Sequence, residues 1–137
     1  MSIIEKYLEK FISSIDFLFK QIQSSGLSET LEKIPVEIFD LNFHFNIKVI
    51  NGEIKEEFNL SITQEISKLS KNHPTVVGFS IIGTEKIWLE VFEGNKSLMA
   101  EIIEGKLKIS NIRANWLKIT LLSNLLANLI SIKLLKI

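Results

Sequence analysis

The chain contains no cysteine, and only two of its 137 residues are proline. It therefore lacks disulfides, zinc–thiolate sites and a thiol nucleophile. Its 16 basic residues balance its 16 acidic residues, and all of the basic residues except Arg113 are lysine. This balance argues against a nucleic-acid partner, which usually needs a clustered basic excess. The lack of arginine excludes an arginine cluster for bidentate phosphate or carboxylate recognition.

Long uncharged runs are also missing. The longest spans residues 119–132 and includes Asn124 and Asn128, so it is shorter than the roughly 20 apolar residues of a transmembrane helix. Near the start of the chain, Glu5 and Glu9 interrupt the apolar pattern, so this segment lacks the uninterrupted hydrophobic region of a secretory signal. We expect one domain in the cytoplasm.

Motifs for catalysis, cofactor binding or metal binding are absent from the sequence. The 6 glycines form neither a dinucleotide-binding loop nor a P-loop, and no G-x-S-x-G elbow presents a nucleophilic serine. The histidines are His44, on the polar face of a predicted strand, and His73, beside Pro74. A metal site needs two or three such ligands to converge. We therefore expect no enzymatic activity, no catalytic residue, no cofactor and no metal.

The first segment has the periodicity of an amphipathic helix over residues 3–23. Its apolar residues recur at steps of three and four and are Ile4, Leu8, Phe11, Ile15, Leu18 and Ile22. The spacing also fits three heptads, so this helix packs either on its own domain or against a second copy. A short helix is predicted next, over residues 28–33.

A β-hairpin follows. Strict apolar–polar alternation over residues 41–49 predicts a half-buried strand. Asn51 and Gly52 have the sequence of a type I′ turn, and residues 53–60 form the returning strand. A strand over residues 36–39 extends the sheet ahead of this hairpin.

The predicted register pairs Phe45 with Phe58 and Ile47 with Glu56. Glu56 therefore falls on the apolar face, near a sheet edge. There its carboxyl either reaches water or is a poised acid.

Further along the chain, apolar spacing predicts a helix over residues 61–71, and a β-branched run predicts a buried strand over residues 75–82. Two short helices then end at glycines. They span residues 85–93 before Gly94 and residues 96–104 before Gly105, and a strand is predicted over residues 106–112.

The last helix, predicted over residues 114–137, carries unusually much apolar surface. Its polar residues form one narrow stripe, which consists of Thr120, Asn124, Asn128 and Ser131. Leucine and isoleucine cover most of the rest, a wider face than the ~100° stripe of a helix on a core. This surplus predicts a packed core, a ligand cavity, a dimer interface or a membrane surface.

From residue 75 to residue 126 the chain resembles the sterol carrier protein 2 (SCP-2) family of lipid-transfer domains. The matching order is an apolar strand, a helix with Trp88 near its start and Gly94 at its end, a second helix ending at Gly105, and a strand before the last helix. The hairpin corresponds to the early strands of the family. The predicted helix at 61–71 has no counterpart there.

The resemblance implies an α+β fold with a mostly antiparallel sheet of about five strands covered by helices. We expect one domain with an N-terminal amphipathic helix (1–26), a region of sheet and helices (36–112) and an apolar C-terminal helix (114–137). The N-terminal helix is extra long and in this departs from the family. The resemblance also implies an apolar tunnel, closed by the last helix, for a lipid, fatty acyl chain or other apolar small molecule. The residues that we expect to line it are Phe45, Phe79, Ile81, Trp88, Phe92, Met99, Ile103, Trp116 and Leu122.

An acidic head group at the tunnel mouth would meet Lys86, Lys106 or Lys118, and the spacing favours none of them. Two alternatives to a carrier stay open. One is a structural protein that forms a homodimer through its apolar helices, with a packed core and no ligand. The other is transient membrane contact through the last helix.

Overall fold

The computed structural model describes residues 2–24, 43–63, 67–71 and 78–137. Within these residues the elements are, in chain order, α1 (Ile3–Ser24), β1 (Phe43–Asn51), β2 (Ile54–Ile62), β3 (Ser67–Lys71), β4 (Phe79–Thr84), α2 (Glu85–Phe92), α3 (Leu98–Ile103), β5 (Lys108–Ile109) and α4 (Trp116–Ser131). None of these helices is both long enough and apolar enough to cross a bilayer. The predictions at residues 28–33 and 36–39, and the start of the strand at 75–82, lie outside the described residues.

The five strands form one mixed sheet in the order β3-β2-β1-β4-β5. The pairs β1–β2, β2–β3 and β4–β5 are antiparallel, whereas β1 and β4 are parallel. The predicted α+β fold with a mostly antiparallel sheet of about five strands is confirmed. The structure adds that one pair of neighbouring strands, β1 and β4, is parallel. Parallel neighbours cannot be joined by a tight turn, so the chain between them makes the hairpin and β3 on one side of β1.

The hairpin turn differs from the predicted one. Its central residues are Gly52 and Glu53 rather than Asn51 and Gly52, and Phe45 lies opposite Leu60, two residues beyond its predicted partner. Gly52 has φ +65° at the first central position, where a type II′ turn takes glycine. A shift of two residues leaves every side chain on its predicted face, because strand side chains alternate with a period of two.

The predicted helix at 61–71 is wrong, because this stretch completes β2 and forms β3. Leu60 pairs with Leu69, and Ile62 pairs with Ser67 at the start of β3. Ile62 is fully buried. A short apolar pattern is compatible with either a helix or a strand, and here the pairing of Leu60 with Leu69 against the core decides for strands. The strand predicted over 106–112 is also shorter than expected, since β5 contains only Lys108 and Ile109.

The core lies between one face of the sheet and the helices. From α1, the side chains of Ile4, Leu8 and Ile15 are at most 1% exposed, so this helix packs on its own domain. The sheet contributes alternate residues of its strands, among them Phe45 and Phe58, which are both fully buried. Each such side chain stabilises the fold by about 1.5–3 kcal/mol relative to an exposed one.

The glycines predicted to end α2 and α3 have that role. Gly94 has φ +83° and Gly105 has φ +78°, which is the left-handed conformation that glycine adopts without steric cost. At the end of α2 the amide of Gly94 donates to the carbonyl of Val91, and that of Asn95 to the carbonyl of Glu90. These two bonds form a Schellman motif, and the same pair recurs at the end of α3.

Candidate apolar binding site

A small internal cavity lies where the sheet, α1, α2, α3 and α4 meet. Its volume is about 10 Å³, which is about the space for one water molecule. Its lining side chains are all apolar or aromatic and are Leu8, Phe11, Phe45, Ile47, Ile81, Trp88, Phe92, Leu98, Leu122 and Leu126. An apolar void of this kind stays dry, so the interior is suited to hydrocarbon and offers no polar anchor.

Five of the nine residues that were predicted from the sequence to line a tunnel line this cavity. They are Phe45, Ile81, Trp88, Phe92 and Leu122. A sixth, Phe79, lies directly behind the wall, because its ring stacks on that of Phe45 with centroids 5.1 Å apart. The structure therefore brings six of the nominated side chains together from two strands, α2 and α4.

The other three nominated residues lie elsewhere. Met99 is half-buried at the junction of α3 and α4, where its backbone amide donates to Ser123 Oγ at 3.3 Å. Ile103 is 73% exposed and Trp116 is 48% exposed. Ile103 is the last residue of a six-residue helix that buries Leu98, Glu101 and Ile102, and its own side chain lies on the exposed side of that helix.

The lining also includes residues that were not nominated. Leu8 and Phe11 come from α1, and Ile47 comes from β1. Two sequence signals could have identified them: the i, i+3 and i+4 stripe of the first helix and the alternation that places Ile47 on the face of Phe45. Leu98 and Leu126 complete the set from α3 and α4.

An aromatic ladder connects this cavity with the protein surface. The ring of Tyr7 in α1 stacks on that of Phe92, with centroids 5.3 Å apart and planes 7° apart. The ring of Phe92 in turn lies 5.9 Å from that of Trp88. Trp88 Nε1 donates a hydrogen bond of 3.2 Å to the carbonyl of Lys48, which fixes the indole at the inner end of the ladder.

Two open surface pockets flank the end of α4. One, of about 210 Å³, lies between α4 and the connection from α2 to α3, and it shares Leu98 and Leu126 with the internal cavity. The other, of about 280 Å³, lies between α1, the end of α2 and residues 133–137, and it shares Phe92 with the cavity. Hereafter these are the α3–α4 pocket and the C-terminal pocket.

A close contact between Gly94 and Ile130 separates the two pockets. Ile130 lines both of them. A Cβ atom at Gly94 would lie 2.8 Å from Ile130 Cγ2, so only glycine lets the end of α2 approach α4 this closely.

Glu56, which the sequence placed on the apolar face, lies at the rim of the sheet and away from the cavity. Its carboxylate is 3.4 Å from Lys71 Nζ, and Lys71 also contacts Glu5 at 3.3 Å. Hydrogen bonds to these two carboxylates raise the pKa of Lys71. Glu56 is therefore part of an ion-pair network between α1 and the sheet edge.

Polar side chains do not assemble into a metal-binding group among the described residues, since no three of them with imidazole or carboxylate groups converge. His44 lies within 3.0 Å of Ser61 on the polar face of the sheet. Both side chains stand on a surface away from the cavity and the two pockets. The described geometry is that of an apolar interior with surface pockets beside it.

Comparison with solved structures identifies this fold. The palmitated protein SCP2L2 from Aedes aegypti superposes with a TM-score of 0.63 at 12% identity, covering 92% of this chain and 95% of its own. The sterol carrier protein domain 2 of Helicoverpa armigera gives 0.53 at 16% identity, covering 87% and 89%. A possible sterol carrier protein from Thermus thermophilus gives 0.54 at 14% identity, covering 93% and 82%.

Comparison with known sequences finds no further relative. No protein-family model and no curated protein sequence matches the chain. At identities of 12–16% the likeness is one of fold, and the chain has the SCP-2-like fold that its strand–helix–glycine order suggested.

Proposed function

We propose that this chain is a non-catalytic carrier that binds a lipid, a fatty acyl chain or another apolar small molecule between its sheet and α4. One observation carries the proposal: ten apolar or aromatic side chains from both layers converge on one dry cavity in an SCP-2-like fold. The palmitated form of the Aedes aegypti neighbour supports the same class of ligand. A cytoplasmic location and transient contact with the membranes that supply the ligand belong to this proposal.

Binding requires the cavity to grow. At about 10 Å³ it is far smaller than the roughly 300–1,000 Å³ of typical ligand pockets. The two surface pockets meet the cavity at Leu98, Leu126 and Phe92. Outward displacement of α4 would therefore join all three spaces into one apolar tunnel, with α4 as its lid.

The attachment of α4 suits such a movement. Its inner face packs through apolar side chains, among them Ile119 and Leu129, which are fully buried. Hydrogen bonds of 3.3 Å from the Met99 amide to Ser123 Oγ and of 3.1 Å from the Asn115 side chain to the Gly78 carbonyl connect it to the rest of the described chain. A ligand chain can replace the apolar contacts, and Met99 is a flexible side chain that adapts to a new neighbour.

Native mass spectrometry and titration with a fluorescent fatty acid test the proposal. We expect a co-purified apolar ligand, and saturable binding that falls at least tenfold in Leu126→Trp because the indole fills the space beside the cavity. Leu125→Trp is the matched control, since Leu125 is half-buried on the same helix and does not line the cavity. Circular dichroism verifies that both variants fold.

A purified protein with a ligand-free mass that binds no fatty acid would contradict the carrier proposal. The alternative is then an interaction protein, which the small cavity and the exposed apolar residues Ile103, Trp116 and Leu117 favour. Sedimentation would show a homodimer that dissociates in Leu117→Lys. Leu117 is 59% exposed, so this substitution leaves the core unchanged.

A further inference from the structure

The C-terminal pocket differs from the α3–α4 pocket in its charge. Its lining consists of Tyr7, Phe92, Glu93, Ile130, Lys133, Leu135, Lys136 and Ile137. Two lysine side chains and one carboxylate side chain thus border a floor that is otherwise apolar or aromatic. The α3–α4 pocket contains one charged residue, Lys96, among small and apolar ones.

The polar groups of the C-terminal pocket are available to a ligand. Neither Lys133 nor Lys136 forms an ion pair, and the hydroxyl of Tyr7 makes no hydrogen bond, within the part of the chain that the structure describes. Burial, and secondarily the nearby carboxylate of Glu93, raise the pKa of Tyr7. The phenol therefore stays protonated at neutral pH and can donate a hydrogen bond to an anion.

The backbone at Lys133 provides a second, independent observation. The amide of Lys133 donates to the carbonyl of Ile130, and that of Leu134 donates to the carbonyl of Leu129, so α4 ends in the same Schellman motif as α2 and α3. At the equivalent position those helices have glycine, whereas Lys133 adopts φ +63°. A lysine there is strained, and such strain is found preferentially at functional sites.

The segment that carries the two lysines is held in place. Ser14 Oγ of α1 donates a hydrogen bond of 3.3 Å to the carbonyl of Leu134. The side chain of Leu135 is only 1% exposed. These two contacts hold the backbone of residues 133–136 against α1, which places the exposed side chains of Lys133 and Lys136 at the border of one pocket.

We propose that the C-terminal pocket binds the anionic head group of an amphiphile, a carboxylate or a phosphate, between Lys133, Lys136 and the hydroxyl of Tyr7. The hydrocarbon chain runs past Phe92, which lines both the pocket and the internal cavity. This inference rests on the proposed carrier function and assigns its head-group site. Of the lysines considered from sequence alone, Lys106 is paired with Glu104 at 3.2 Å, and none lines this pocket.

Calorimetric titration with three probes of equal chain length tests the proposal: dodecanoate, dodecyl phosphate and 1-dodecanol. In the wild-type protein we expect at least one anion to bind about tenfold more tightly than the alcohol. The double variant Lys133→Gln/Lys136→Gln should lose that preference and keep its affinity for dodecanol. Glutamine at position 133 retains the backbone strain, so the change reports on charge. The tighter of the two anions identifies the source of the head group.

The control is Lys6→Gln/Lys10→Gln, which removes the same charge from a separate surface pocket of about 370 Å³ along α1. It should keep the anion preference. Two results would contradict the head-group site without contradicting the carrier function. One is equal affinity of the wild type for all three probes, and the other is an equal loss of anion preference in both double variants. Absence of binding by every probe would overturn both.

Discussion

The ring of Tyr7 lies flat against that of Phe92, with centroids 5.3 Å apart, and this pair joins the N-terminal helix to the wall of the internal cavity. Tyr7 faces the C-terminal pocket, and Phe92 faces both that pocket and the cavity. Stacked pairs of this kind contribute about 0.5–1.5 kcal/mol beyond their buried area. In the proposed carrier, a ligand that enters from this pocket would have to displace Phe92 and disturb its stacking on Tyr7 of α1.

Tyr7→Phe should change the alkaline stability of the protein while leaving its fold at neutral pH unchanged, and it should weaken anion binding because it removes the hydroxyl from the C-terminal pocket. The pKa of Tyr7 is raised from its ordinary value of 10.0 by burial and by Glu93, so the folded protein holds this proton more tightly than the unfolded chain. The associated stability is fully present below pH 10 and is lost as the pH rises through the folded pKa. Denaturant unfolding from pH 7 to pH 11 should show a shallower alkaline loss in the variant.

The pKa values of Lys71 and Lys106 are also raised. The contributions of these two side chains to protein stability are therefore lost in the same alkaline range. They are present in both proteins, so the difference between the two unfolding profiles isolates Tyr7. Parallel profiles above pH 10 would contradict the assignment.

Glu101→Leu should stabilise the protein. Glu101 is fully buried in α3, and neither of its carboxylate oxygens has a hydrogen-bond partner within the described part of the chain. An unsatisfied buried polar group costs about 1–3 kcal/mol, and more when charged. Urea unfolding at pH 7 should show a gain of about that size for leucine and a smaller gain for Glu101→Gln, which keeps the shape and two polar atoms. A loss of stability in both variants would show that the carboxylate has a partner.

Lys133→Gly should also stabilise the protein, and it should weaken anion binding at the same time. A non-glycine residue in the left-handed region costs roughly 1–2 kcal/mol, and glycine at position 133, where φ is +63°, removes that cost. The same substitution removes one of the two ammonium groups of the C-terminal pocket. Thermal unfolding and dodecanoate titration on one sample measure both effects. A variant that is less stable than the wild type would contradict the strain argument.

Glycine chemistry and strand alternation explain which parts of this fold the sequence predicts. Gly94 and Gly105 end their helices because a left-handed residue is required there, and this requirement is local. Residues 61–71 were misassigned because the i, i+4 and i+7 spacing of their apolar residues matches a helix. Ile62 and Leu69 in fact belong to two different strands, and only the pairing of those strands decides. Lys133 ends α4 in the same way as the two glycines, but a lysine carries no local signal for that conformation.

The residues of the candidate site likewise divide into those with a local sequence signal and those whose position depends on tertiary contacts. Phe45 and Ile81 were predictable because alternation places them on the buried face of their strands. Ile103 was not, because the side of the six-residue α3 that faces the core depends on tertiary packing. Trp116 was not either, because it is the first residue of α4 and its exposure depends on how the start of that helix packs. Position 133 was not predictable either, because its role depends on the fold of residues 133–137 over α1.

Alanine at the two helix-ending glycines should separate backbone strain from the contact that divides the two pockets. Both positions have positive φ, so alanine costs about 1–2 kcal/mol at each. At Gly105 a Cβ meets nothing within 4 Å, whereas at Gly94 it would lie 2.8 Å from Ile130 Cγ2. Gly94→Ala should therefore be more destabilising than Gly105→Ala by about 1 kcal/mol or more.

The double variant Gly94→Ala/Ile130→Ala tests this contact directly, because it removes Cγ2 of Ile130 and with it the clash. In a double-mutant cycle followed by urea unfolding, the two substitutions should together cost less than the sum of their separate effects. The corresponding cycle with Gly105→Ala should be additive. Additivity at Gly94 would mean that α4 moves away from the end of α2 at little cost, which would contradict a rigid contact between Gly94 and Ile130.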